Sequence, residues 1–244
     1  MSFDADLAER FNPSVDLPVL RVYGWKPHTI SLGVHQSLDD FDISKIRQDG
    51  VGIVRRPTGG RAIFHAHELT YSIILSGAGQ SARAIYLYLS RGILAALHLM
   101  GIEAELSGVD EFLPGLHHNP LSIPCFSTST RSEIRCRGKK IVGSAQRRYG
   151  DTILQHGSFL LGRGHRRISE YLSPAIHSMK TAIDDHLLER TTEAETILNR
   201  PVSFEEAATS LRKGLEGAYG ITFIPYEAGS DQKTVEVQQL VQTP

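Results

Sequence analysis

"GKKIVGSAQRRYGDTILQHGSFLL" (residues 138–161) decides how this chain folds. Two runs rich in apolar and β-branched residues, 139–149 and 152–161, are split by Gly150-Asp151, a turn pair. "SEIRCR" (132–137) lies just upstream, with Gly138 at the second turn, so the spacing predicts a three-stranded antiparallel meander. Strand alternation puts Cys136 on the face opposite Arg135 and Arg137, toward the core. Lys140 falls near the start of the middle strand, ahead of Gly143-Ser144-Ala145. Those small residues leave room for an acyl chain or a flat ligand beside the lysine. A surface lysine on an edge strand is the plain alternative.

The chain upstream of this meander also reads as strands and turns. "LPVLRVYGW" (17–25) and "HTISLGV" (28–34) are strands around a Lys-Pro-His turn. "DISKIRQDG" (42–50) is a short helix with Asp42 as N-cap and Gly50 past its end. "GIVRR" (52–56) and "RAIFH" (61–65) flank Pro-Thr-Gly-Gly, which reads as a turn between two strands, and "ELTYSIIL" (68–75) is a buried strand. Residues 81–101 form the clearest helix, with an apolar stripe of Ile85, Leu89, Leu94, Leu97 and Met100 and a stop at Gly101. Residues 107–130 form a long polar connection, of the length that loops usually have for a functional reason. After Leu161 the pattern becomes helical. "SFEEAATSLRKGLEGAYG" (203–220) opens with Ser203 and Glu206 in capping-box spacing and leads to a short strand, "ITFIP". Strands come first and helices later, without regular alternation, which points to α+β rather than a doubly wound sheet. Residues 1–226 read as one catalytic domain, and 227–244 as a polar tail or terminal helix.

The 244 residues are 41% hydrophobic, enough to bury a full core. The net charge of −1 gives no global basic field, so nucleic acid is not an expected partner. Locally, Arg131, Arg135, Arg137, Lys139, Lys140, Arg147 and Arg148 face a single acid, Glu133. That is either a solvated basic face or a landing site for an acidic or phosphate-bearing partner. Two cysteines make no disulfide framework, nothing resembles a secretory signal, and no apolar run is long enough for a membrane span. A reducing cytoplasm is therefore the expected compartment. The histidines lack metal-ligand spacing, and no metal is expected.

Three stretches can do chemistry. "RRPTGGRAIFH" (55–65) exposes backbone N–H groups at Thr58-Gly59-Gly60, flanked by Arg55, Arg56 and Arg61. A Gly-Gly hairpin turn without a ligand would look the same. "KKIVGSAQ" (139–146) supplies Lys140 over a floor of small residues. Cys125, after Pro124 in the polar connection, is a candidate nucleophile because nearby cations lower a thiol from its ordinary pKa of about 8.5. The plain reading makes it a filler side chain. His65 and His156 are possible acid–base groups or satisfied strand histidines.

Taken together, "LRVYGW" with "ISLGVHQ", "VRRPTGGRAIFHAHELTYSIIL", "GKKIVGSAQRR" and "LQHGSFLL" occur in the order found in the lipoate–protein ligase and octanoyltransferase family, which this chain resembles over roughly residues 1–165. The resemblance implies a mixed, mainly antiparallel β-sheet flanked by helices, like the catalytic domain of biotin and lipoate protein ligases. By carry-over, Lys140 binds the acyl carbonyl. Arg56, Thr58, Gly59 and Gly60 line the acyl pocket, as do Gly143, Ser144 and Ala145. His65 and Ser72 lie on the strands behind it, and His156 belongs to the same substrate site. Cys125-Phe126 followed by Glu133 and Lys140 looks like the cysteine-dependent octanoyltransferase branch.

That branch implies transfer from octanoyl-acyl carrier protein, through a Cys125 thioester, to a lysine of a lipoyl-domain protein such as the glycine-cleavage H protein, with no cofactor. The alternative is a ligase that uses ATP and Mg to form an acyl-adenylate. A third possibility is a non-catalytic acyl-binding protein. The family pattern has a further strand ahead of "MSFDADLAERF": either the true start lies upstream or the strand is missing, and loss of a strand would leave a sheet edge exposed.

Overall fold

The computed structural model describes residues 2–107 and 133–226, and the backbone of 237–242. Cys125 and nearly all of the 107–130 connection lie outside these residues, as does Arg131. The helix α1 (Ser2–Arg10) leads to β1 (Val19–Tyr23), β2 (Thr29–Leu32), α2 (Ile43–Gln48), β3 (Gly52–Arg55), β4 (Ile63–His65) and β5 (Glu68–Ser76). Next come α3 (Ala82–Leu99), β6 (Ala104–Leu106), β7 (Ile134–Cys136), β8 (Lys139–Tyr149) and β9 (Thr152–Leu160). Short 3₁₀ segments over 163–171 and 174–179 lead into α4 (Lys180–Arg190), α5 (Ala194–Leu198), α6 (Phe204–Tyr219), β10 (Ile221–Tyr226) and β11 (Val237–Gln242). The architecture is the expected α+β one.

The large sheet has the order β10-β11-β1-β5-β9-β8-β7-β6, antiparallel at every pairing. The meander of β7, β8 and β9 stands as read from the sequence, and Cys136 is buried as alternation required. Helix starts also follow the sequence. Asp42 accepts from the Lys45 N–H at 3.0 Å, Ser81 from Ala84 at 3.1 Å, and Ser203 from Glu206 at 3.1 Å. The Glu206 carboxylate bonds Arg200.

Two expectations are corrected. The Pro-Thr-Gly-Gly segment is not a hairpin turn. β3 pairs parallel to β2 and β4 pairs antiparallel to β2 on its other side, forming a separate three-stranded sheet. The segment therefore passes the end of β2, where the Val34 N–H donates to the Thr58 carbonyl and the Arg56 N–H to the Leu32 carbonyl. The C-terminal region holds a strand instead of a terminal helix. β11 pairs with both β10 and β1, so β1 is not an edge strand. "VEVQQLV" is rich in β-branched residues, and an edge strand offers unpaired N–H and C=O groups to such a segment.

One face of the large sheet presents Leu69, Tyr71 and Ile73 to Ile85, Leu89, Ile93 and Leu97 of α3 and to Leu211 and Leu215 of α6. The other face has two coverings. Ile74 and Leu154 pack on Ala8 and Phe11 near α1, while Leu160 packs with Ile30, Leu32 and Phe64 of the small sheet and with Ile183 and Leu187 of α4. Between these coverings the sheet shows a polar row. Among the described residues, no helix is long and apolar enough to cross a membrane.

Candidate acyl-transfer site

That polar row floors a cavity of about 270 Å³ between the large sheet and the small one. The β8 and β9 rungs Gly143↔Ser158, Ser144↔Gly157 and Ala145↔His156 run along it. The β7 ladder ends at Val142, so from Gly143 onward the outer edge of β8 has no strand partner among the described residues. The cavity laps over this edge and reaches Tyr86 of α3.

Gly157 is required by Tyr71. A Cβ on Gly157 would lie 2.1 Å from Tyr71 Cζ. The ring crosses beneath the glycine, and its hydroxyl lies 2.6 Å from Ser144 Oγ. Burial raises the Tyr71 hydroxyl above its ordinary pKa, so it stays protonated.

The loop over the cavity is held by Arg56, which is 4% exposed. Its guanidinium donates to the carbonyls of Ser31 (3.0 Å), Gly59 (2.9 Å) and Arg61 (2.6 Å). Arg56 thus reaches the cavity wall mainly as a clamp on the 56–61 loop. Gly33 allows the loop to approach, since a Cβ there would lie 1.9 Å from the Gly60 carbonyl oxygen. Thr58 is fully buried, and its Oγ1 has no hydrogen-bond partner among the described residues.

Below the loop, Glu68 accepts from Ser158 Oγ at 2.5 Å and Thr70 Oγ1 at 2.6 Å. His65 uses both ring nitrogens, with Nδ1 3.2 Å from Glu68 and Nε2 2.7 Å from Ser31 Oγ. Trp25 stacks on His65 with ring centroids 4.5 Å apart and donates its indole N–H to Thr70.

Lys140 is not the surface lysine of the plain alternative. It is 3% exposed, and its Nζ donates to Glu133 Oε1 at 2.8 Å. The other Glu133 oxygen accepts from Arg135 at 3.1 Å. One carboxylate thus bridges two cations at this end of the cavity. Burial of an ammonium requires such a partner. Elsewhere in the basic run, Arg147 and Arg148 are exposed and fold back on the carbonyls of Pro57, Gln80 and Gly77.

Elsewhere on the wall, His156 Nε2 stands 3.4 Å from Asp4 Oδ2. Asp4 is fully buried on α1, takes Arg21 on both oxygens at 3.0 Å and accepts from the Tyr23 hydroxyl at 3.3 Å. Burial alone would raise its carboxyl pKa, but His156 and Arg21 outweigh burial and hold it at about 2.

Of the residues singled out in the sequence, Lys140, Arg56, Thr58, Gly59, Gly60, His65, Gly143, Ser144, Ala145 and His156 line this one cavity. Ser72 does not. It is buried opposite His156 in the β5–β9 register, outside the wall. Asp4, Trp25, Glu68, Tyr71 and Tyr86 were missed. Glu68 alone carried a signal, as an acid inside an apolar strand. Among the described residues, no cluster of three or more His, Cys, Asp or Glu could hold a metal ion.

The family model described as "Lipoyl protein ligase A/B catalytic domain" matches residues 1–216. Octanoyltransferase LipM of Symbiobacterium thermophilum is 37% identical over 99% of this chain and 89% of its own length. The protein of that name in Lysinibacillus sphaericus is 34% identical over 95% and 86%. Among solved structures, a lipoate-protein ligase A bound with ATP superposes with a TM-score of 0.71 at 20% identity, over 91% of this chain and 80% of the other. A bipartite lipoate protein ligase of Thermoplasma acidophilum, described with its E2 lipoyl domain, gives 0.69 at 20% identity, over 89% and 77%. At that identity the likeness is one of fold.

Proposed function

Because the chain belongs to the lipoyl protein ligase A/B catalytic-domain family, we propose that it is an octanoyltransferase of protein lipoylation. It takes an octanoyl group from octanoyl-acyl carrier protein, holds it as a thioester on Cys125, and passes it to a lysine of a lipoyl-domain protein. The relatives' names support the reaction. The observation that carries the reading is Lys140, a buried ammonium on the wall of a cavity floored by Gly143, Ser144 and Ala145.

Lys140 meets the carbonyl oxygen as it gains negative charge, an interaction typically worth a few kcal/mol. The thioester splits one transfer into two steps and needs no ATP. The exposed Arg147 and Arg148 suit the acidic surface of a carrier protein.

Intact mass after mixing the protein with octanoyl-acyl carrier protein, without ATP, tests this. A gain of one octanoyl group, mapped to Cys125 and released by hydroxylamine, is expected. No adduct on folded protein, together with ATP-dependent pyrophosphate release from free octanoate or lipoate, would overturn it in favour of a ligase.

A further inference from the structure

We propose that His156 takes the proton from the acceptor lysine during acyl transfer, and that Asp4 of α1 is the residue that positions it. The inference rests on the acyl-transfer reading, but not on which activated acyl group is used.

A lysine side chain has an ordinary pKa of about 10.4, so it reaches the site as an ammonium. It cannot attack a carbonyl carbon until one proton has left. Around the cavity, Lys140 and Arg56 are cations with partners of their own, and neither is an acceptor. Glu68 already accepts from Ser158 and Thr70 and lies beside His65. His65 has both nitrogens engaged.

His156 differs. Its ring is 4% exposed and lines the cavity; Nε2 is at ion-pair distance from Asp4, and Nδ1 has no hydrogen-bond partner among the described residues. Buried polar atoms without partners are rare, and one on a cavity wall points to a ligand. A carboxylate beside one ring nitrogen, with the other left unpartnered on a residue of the cavity wall, is an arrangement by which an imidazole is oriented as a base. Asp4 keeps its charge for this purpose, because Arg21 and Tyr23 hold the carboxylate.

The step balances as follows. The ammonium gives one proton to Nδ1 of His156. The neutral nitrogen bonds to the thioester carbonyl carbon, and the C–S bond breaks. The second proton lost from nitrogen goes to the departing sulfur, leaving an amide, a thiol and a protonated imidazole. The imidazole then returns its proton to water. The charged and titratable groups around the ring are Asp4 from α1, Arg21 and Tyr23 from β1, and Glu68 from β5, with His65, Arg56 and Lys140 around the cavity.

The test separates the half-reactions. Octanoyl loading and transfer to a lipoyl domain are timed across neutral pH for the wild type, His156→Gln, His156→Ala and Asp4→Asn. Transfer is expected to fall by about 10²–10⁴ in His156→Gln, with loading reduced by less than about tenfold, and added imidazole is expected to restore transfer in His156→Ala. In Asp4→Asn transfer is expected to fall while loading holds, because the ring loses the carboxylate that orients it. If Asp4→Asn does not fold, the two His156 variants decide alone. Equal losses in loading and transfer, or a wild-type transfer profile in His156→Gln, would overturn the proposal. Failure of the wild type to load from carrier protein speaks only against the proposed function. In that case the same transfer step is timed after activation with ATP and octanoate.

Discussion

Lys140 Nζ stands 2.8 Å from Glu133 Oε1, with both residues 3% exposed or less. A buried pair of this kind is a poor source of net stability, but breaking it leaves an uncompensated charge. Glu133→Gln removes the carboxylate that Lys140 and Arg135 share. It is expected to lower stability by about 3–5 kcal/mol and to lower the acyl-loading rate, since the ammonium is no longer held at the cavity wall. Adding Lys140→Met should recover part of the stability without recovering loading. A denaturant double-mutant cycle measures this, and simple additivity of the two changes would show that the pair is not coupled.

Gly157 and Tyr71 make the second prediction. The Cβ of an alanine at 157 would sit 2.1 Å from Cζ of a ring fixed by Ser144 and Gln155. The ring must shift, and overpacking of this kind costs about 1–3 kcal/mol. Gly157→Ala should therefore lower the melting temperature and disturb octanoyl binding. Shortening the ring as well, with Tyr71→Leu, should make the alanine cheaper than it is alone. If the alanine costs the same on both backgrounds, the contact is not the reason for the glycine.

Arg56→Lys tests the clamp. One ammonium cannot span the carbonyls of Ser31, Gly59 and Arg61, which the guanidinium fork reaches together. Amide hydrogen exchange over residues 57–61 should quicken strongly, while exchange in β5 and β9 stays near that of the wild type. Unchanged exchange in the loop would remove the clamp.

Much of this was open to reading along the chain because it is local. The turns at Gly138 and Gly150, the alternation that buries Cys136, and the caps Asp42, Ser81 and Ser203 each depend on a few neighbouring residues. The separate sheet of β2, β3 and β4 is not local. Nothing between Gly52 and His65 says that β2 comes between the two strands. Arg56 was legible as a residue of the pocket loop but not as its clamp, because the carbonyls it binds are brought in from β2 and the loop. Asp4 read as an ordinary helix residue because its partners, Arg21 and His156, lie 17 and 152 positions away. The strand β11 was missed because the edge that pairs with it, β1, is remote in sequence.

His165 gives a pH prediction. It is 2% exposed, with Nε2 2.9 Å from Thr191 Oγ1, and burial, helped by Arg166, lowers its pKa from 6.5 to about 3. The folded protein thus keeps the ring neutral where the unfolded chain protonates it. Stability from this residue is complete above pH 6.5 and is lost as pH falls toward about 3, at about 1.4 kcal/mol per pH unit. Asp4, whose carboxyl is held at about 2, adds to the loss only below its ordinary 3.8. Between these limits His165 is the group to test. Thr191 bridges to Lys140, and the Thr192 N–H donates to the Lys140 carbonyl at 3.0 Å, so this region backs the site lysine. In denaturant titrations from pH 7 to pH 4, His165→Gln should start less stable than the wild type but lose stability more slowly with acid. Parallel pH curves for the two proteins would show that His165 is not held neutral in the fold.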